Sequence, residues 1–114
     1  MKIHPYFPVN STPYKSLYSK ILLFDRAHGE PLALVDGTTV TFWRTAGISG
    51  LATRLLARED AESLLLLGTG NLSKYIIRAN ASVRPLKRVM VWGRTPSNAE
   101  QVVAEMSPEL EGVE

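Results

Sequence analysis

Four consecutive leucines, Leu64 to Leu67, run into Gly68-Thr69-Gly70-Asn71-Leu72-Ser73, and that junction restricts the fold more than any other stretch. A short apolar run closed by glycine reads as a buried strand, because a helix needs a longer periodic segment. After the turn, Leu72, Tyr75, Ile76, Ala79 and Val83 recur three or four residues apart, the spacing of one helix face. Arg84-Pro85 ends that pattern, and a second apolar run, Val89 to Trp92, leads to Gly93-Arg94-Thr95. Strand, glycine turn, helix and strand in this order make a βαβ unit whose first turn suits a phosphate. One glycine serves the tight turn and another lets the backbone approach a pyrophosphate. The helix start adds N–H groups and the positive end of its dipole. Ser73 stands where a third glycine is usual and is small enough for close helix–strand packing. An ordinary glycine turn is the alternative, since G-x-G alone is a weak signal.

The tip of the second strand bears on which dinucleotide such a turn would take. An Asp or Glu there binds the ribose 2′-hydroxyl in NAD sites, whereas Gly93-Arg94-Thr95 offers a guanidinium and a hydroxyl. A guanidinium grips a 2′-phosphate through two parallel hydrogen bonds, which favours NADP(H), with NAD(H) possible. The alternative for Arg94 is a solvated loop arginine.

Upstream, Pro5, Pro8 and Pro13 exclude a helix from residues 1–19, leaving a loop with a short edge strand near Lys2–His4. Tyr6, Phe7, Tyr14 and Tyr18 are expected to pack back onto the sheet that follows. Ile21–Phe24, Leu32–Val35 and Thr38–Trp43 read as a three-stranded antiparallel meander, with Asp36-Gly37 as a type I′ hairpin turn. Residues 45–58 form a helix with Ile48, Leu51, Ala52, Leu55 and Leu56 facing inward, and Gly47 and Gly50 mark a close approach. Pro96 opens a last helix with Ala99, Val102, Val103 and Met106 inward, and residues 109–114 form a frayed acidic tail. The fold class is α/β: an antiparallel meander followed by a partial Rossmann-like βαβα unit. The segments are 1–44, a connecting helix at 45–62, and 63–114. No apolar run after Met106 supplies a third parallel strand, so the chain reads as an interior piece of a larger protein or a truncated reading frame.

Other chemistry is sparse. Arg44 is expected just before a helix start, where a cation opposes the dipole, so a bound carboxylate would relieve it. Pairing of Arg44 with an acidic side chain is the alternative. His4 and His28 lack metal-ligand spacing, and without cysteine there is no disulfide or thiolate site. Arg78, Arg84, Lys87, Arg88 and Arg94 cluster, but a net charge of +2 and the lack of interleaved aromatics favour a solvated helix end over RNA binding. There is no signal-peptide pattern or membrane-length apolar run, so the expectation is a cytoplasmic protein with neither a nucleic-acid nor a membrane partner.

Taken together, the strings Lys2-Ile3, Phe7-Pro8-x-Asn10, Leu32-Ala33-Leu34-Val35-Asp36-Gly37 and Thr41-x-x-Arg44-Thr45-Ala46 resemble the ornithine cyclodeaminase/mu-crystallin family. So do Leu56-Ala57-Arg58-x-Asp60-Ala61, Gly68-Thr69-Gly70, Val83-Arg84-Pro85 and Trp92-x-Arg94-Thr95. The resemblance implies a Rossmann domain inserted into a split substrate and dimerisation domain, in homodimers roughly three times this length. Residues 1–44 would then belong to the substrate domain and 63–114 to the NAD(P) domain. It also implies action on amino or cyclic imino acids, as a ketimine or pyrroline-carboxylate reductase or as an ornithine cyclodeaminase. By resemblance, Lys2 and Arg44 hold the substrate carboxylate, Gly68, Gly70, Asn71 and Leu72 form the phosphate turn, and Gly93, Arg94 and Thr95 contact the 2′-phosphate. Gly47 departs from the usual second alanine after Arg-Thr-Ala. The catalytic aspartate of the family lies in a C-terminal half with no counterpart here, so this chain alone is expected to be inactive. A non-catalytic nucleotide-binding or interaction module is the alternative.

Overall fold

Strands β1 (Lys2–Ile3), β2 (Lys20–Phe24) and β3 (Pro31–Asp36) form an antiparallel sheet in that order. Lys2 lies opposite Ile21, and Ile21 opposite Val35. The computed structural model describes residues 1–114, which divide into the units Met1–Thr41 and Phe42–Glu114. In the first unit the proline-rich loop closes on itself. Phe7 N–H donates to Ser16 O at 2.7 Å, Tyr18 N–H to Pro5 O at 3.2 Å, and Tyr6 bridges to Leu17. Its backbone bonds are therefore internal to the loop, and Tyr6, Phe7, Tyr14 and Tyr18 remain exposed rather than packing on the sheet. β3 is exposed along its whole length.

The expected third meander strand does not form. Helix α1 runs Gly37–Leu56, so Thr38–Trp43 is helical despite its β-branched and aromatic content, and the helix begins well before residue 45. Two bonds explain this. Asp36 Oδ1 accepts the Thr38 N–H at 2.9 Å, capping the start, and Thr41 Oγ1 donates to Gly37 O at 2.7 Å, satisfying the hydroxyl within the helix. Asp36-Gly37 is thus a helix start and not a hairpin turn.

In the second unit, β4 (Ser63–Leu67) and β5 (Arg88–Trp92) pair in parallel, joined through α2 (Ser73–Ala81) and followed by α3 (Pro96–Met106). Leu66, Ile77 and Met106 form the core, with Leu64, Val89, Val91 and Val102 against it, so α2 and α3 cover one sheet face. On the other face Leu65, Leu67, Met90 and Trp92 are exposed. Pro96 sits in the first turn of α3 as expected, and a 3₁₀ turn at Ser107–Glu109 ends it.

Within this unit α1 meets α2 through a small, polar face. The backbone of Gly50 lies so close to Ala79 that an added Cβ would fall 2.9 Å from the Ala79 carbonyl oxygen. Asn80, only 3% exposed, accepts from Thr53 Oγ1 at 2.5 Å and donates to Ser49 Oγ at 3.2 Å and Ile76 O at 2.8 Å. Ile48, Leu51, Ala52, Leu55 and Leu56, expected inward, are exposed because Ala46, Gly50 and Thr53 take the packed side. Phe42 and Trp43 rest on the Tyr75 ring, with centroids 5.2 and 5.0 Å away.

Arg84 closes the other end of α1. Its guanidinium donates to the carbonyls of Thr53, Ala57 and Arg58 at 2.7–2.8 Å and of Arg54 at 3.1 Å, adding a charged donor where the helix ladder runs out; Thr53 O and Arg58 O also accept the Ala57 and Ala61 N–H groups. The acidic tail is docked and not frayed. Glu109 binds Arg78 through two hydrogen bonds, which hold its carboxyl below the usual range and raise Arg78. Glu114 N–H donates to Lys87 O at 2.9 Å and Glu114 O accepts the Val89 N–H at 2.8 Å, a parallel ladder step on the outer edge of β5. No helix is long and apolar enough to cross a membrane.

Candidate functional site

The β4–β5 register sets Leu67 opposite Trp92, so the strands end level and the turns after them lie side by side. Gly68 adopts φ +128°, open to glycine and strained for other residues, and its N–H donates to Trp92 O at 2.8 Å. Gly93 is required for a different reason. A Cβ there would sit 2.6 Å from Thr69 Cγ2, so the second turn touches the first only because residue 93 has no side chain. Ser73, buried behind the first turn, donates from Oγ to Gly68 O at 3.1 Å, which closes the place a third glycine would leave open. Gly70 differs from both: a Cβ on it would meet nothing within 4 Å. That open side adjoins a cavity of about 270 Å³ lined by Gly70, Asn71, Lys74, Asn98, Gln101 and Glu105 among others.

Two helices start at these turns. Leu72 is the N-cap of α2 and Thr95 that of α3; neither side chain caps its helix, and neither helix has an acid in its first turn. The Ser73 and Asn98 N–H groups are taken by Gly70 O and Thr95 O and Pro96 has none, so it is the remaining first-turn N–H groups and the positive dipole ends that attract an anion. The cavity wall holds an ion pair, Lys74 Nζ to Glu105 at 3.6 Å.

The sequence-derived candidates fall into separate groups. Gly68, Gly70, Asn71 and Leu72 form the first turn, and Gly93, Arg94 and Thr95 the second. Arg94 is exposed and makes no hydrogen bond or ion pair, and neither it nor Thr95 lines the cavity. Its basic neighbours are engaged: Arg78 with Glu109, Lys87 with Glu62, Arg88 with Glu114, and Arg84 with the end of α1. Lys2 donates to Thr41 Oγ1 at 2.7 Å. Arg44 lies two turns inside α1, so the dipole conflict expected for a helix start does not arise there. It is exposed and has no acidic partner.

Lys74, Asn98, Gln101 and Glu105 escaped the sequence reading. Lys74 follows the glycine turn and Asn98 follows Pro96, so the two helix starts point to them, whereas Gln101 and Glu105 lie deeper in α3 and carry no local signal.

A profile of the ornithine cyclodeaminase/mu-crystallin family matches residues 2–114. The Δ1-pyrroline-2-carboxylate reductase of Colwellia psychrerythraea is 49% identical over 108 residues, covering 93% of this chain and 34% of that protein. The Δ1-pyrroline-2-carboxylate reductase of Thermococcus litoralis, solved with NADH and L-proline, superposes with a TM-score of 0.83 at 38% identity, over 89% of this chain and 31% of that one. A lysine cyclodeaminase, in a structure concerned with recognition of L-lysine, L-ornithine and L-2,4-diaminobutyric acid, gives a TM-score of 0.87 at 32% identity, over 99% and 33%. The chain spans about a third of the length of these relatives. With the paired glycine turns and a profile match over almost its whole length, the chain belongs to the ornithine cyclodeaminase/mu-crystallin family.

Proposed function

We propose that this chain supplies the phosphate-binding half of an NADP-preferring enzyme acting on a cyclic imino acid or an α-amino acid. The observation that carries the proposal is the pair of touching turns at the level ends of β4 and β5, with open space on Gly70 and an unengaged guanidinium at Arg94. Gly68, Gly70, Asn71 and Leu72 would hold the pyrophosphate, and Arg94 and Thr95 a 2′-phosphate, with Gly93 allowing the turns to meet. A nicotinamide, when bound, supplies or accepts the hydride. Residues 1–44 then belong to a substrate domain and 63–114 to the nucleotide domain, joined by the helical connector. Lys2 and Arg44 each correspond to family positions that contact a substrate carboxylate. The pyrroline-carboxylate reductases among the relatives favour imine reduction over cyclodeamination.

A second reading, a nucleotide-binding module without turnover, follows from the cavity. Lys74 and Glu105 are the only acidic or basic side chains on its wall, and they pair with each other, leaving no unengaged acid or base there. Titration of the purified chain with NADPH, followed by Trp92 and Trp43 fluorescence, tests binding. A parallel assay with 1-pyrroline-2-carboxylate tests turnover. Saturable binding without turnover is the expected result for this chain alone, turnover would show that it is a complete catalyst, and the lack of any binding would refute the nucleotide site.

A further inference from the structure

Of the two candidates for a carboxylate contact, Lys2 has a built environment, a relay of four residues that includes it. β1 fixes the Lys2 backbone by pairing it with Ile21. The side chain is half-buried and reaches Thr41 of α1, with Nζ 2.7 Å from Oγ1. The Thr41 hydroxyl proton is already committed to Gly37 O at 2.7 Å, so toward Lys2 its oxygen acts as an acceptor. Gly37 is anchored in turn: its N–H donates to Ser19 O at 2.9 Å, and a Cβ on it would collide with the buried Ser19 Oγ. Lys2 has no carboxylate partner. One ammonium N–H is engaged by a neutral oxygen, while two N–H groups and the whole charge remain for an anion.

We infer that Thr41 is a positioning residue that holds the Lys2 ammonium ready for a substrate carboxylate, acting through Lys2 and not on the substrate. This rests on the carboxylate role proposed above for Lys2. A free lysine head is a mobile point charge on a flexible stem, and binding must then pay for its ordering. Here a hydroxyl of fixed orientation does that ordering beforehand without neutralising the charge. A carboxylate in its place would fix the head equally well but would cancel its attraction for the ligand.

The test compares Thr41→Val, Thr41→Ser and Lys2→Met in the same chain, with L-proline as the carboxylate probe. Two readouts are needed: the ¹⁵N signal and proton exchange of Lys2 Nζ, and the Kd for L-proline. Thr41→Val is expected to speed Nζ proton exchange and weaken L-proline binding roughly fivefold, the effect of about one hydrogen bond's worth of ordering. Thr41→Ser is expected to restore both. Normal binding in Thr41→Val with lost binding in Lys2→Met would overturn the positioning role while leaving the carboxylate role of Lys2 intact. Equal L-proline binding by native chain and Lys2→Met would remove that role, and the inference with it.

Discussion

Replacing Gly50 by alanine should destabilise the chain, although alanine is the better helix former, and the same change at Gly47 should stabilise it. Alanine is favoured over glycine in a helix interior by about 0.8–1.0 kcal/mol. At Gly47 an added Cβ meets nothing within 4 Å, so that gain is retained. At Gly50 the Cβ would lie 2.9 Å from the Ala79 carbonyl oxygen and 3.3 Å from the Ala79 Cβ. A backbone oxygen inside α2 cannot swing aside, so the helices must separate. Overpacking of this kind costs about 1–3 kcal/mol. Separation also stretches the Thr53–Asn80 and Asn80–Ser49 bonds, now 2.5 and 3.2 Å, each contributing about 1 kcal/mol. The net expectation is a loss of about 1–3 kcal/mol for Gly50→Ala against a gain of about 0.5–1 kcal/mol for Gly47→Ala. Denaturant unfolding with linear extrapolation separates the two. A Gly50→Ala chain as stable as Gly47→Ala would refute the close α1–α2 approach.

Arg84→Met should cost about 2–3 kcal/mol, because four carbonyls, two in the last turn of α1 and two just beyond it, lose a charged donor, and Arg84→Lys should recover only part of it. Amide exchange in the last turn of α1 reads this directly. The Thr38 N–H bond lowers the Asp36 carboxyl below its unfolded value, so its capping contribution is present above the unfolded pKa and is lost as pH falls through the lowered folded one. Helix-start amide exchange should therefore quicken on acidification, and Asp36→Asn should flatten that dependence.

The parts of the fold set by short-range chemistry were readable in advance. β4, the glycine turn, α2, β5 and the Pro96 start of α3 follow from apolar runs and breakers within a few residues of each other. Thr38–Trp43 misled because its alternation matches a strand, while the deciding bonds, Asp36 to Thr38 and Thr41 to Gly37, are those of a cap and a helix turn. The inward face of α1 misled for another reason. Sequence pattern assigns apolar residues to the core, but Gly50, Thr53 and Asn80 pack through small size and a satisfied hydrogen-bond network. At the site, the tight turn was legible, and Gly68 takes its positive φ there. The clearance between Gly93 and Thr69 was not, since it depends on the register that levels two strands distant in the chain. The basic cluster dissolved for the same reason: the partners Glu109 and Glu114 lie in a tail that local pattern treats as frayed.

A preference for the 2′-phosphorylated dinucleotide is the central expectation for the Gly93-Arg94-Thr95 turn. Calorimetric titration of the chain with NADPH and with NADH, repeated on Arg94→Asp, measures it directly. The expected result is NADPH binding about tenfold or more tighter than NADH, as charge-assisted bonds to a phosphate give, with the advantage lost or reversed in Arg94→Asp. Equal or tighter binding of NADH by the native chain, or a preference unchanged by Arg94→Asp, would contradict it.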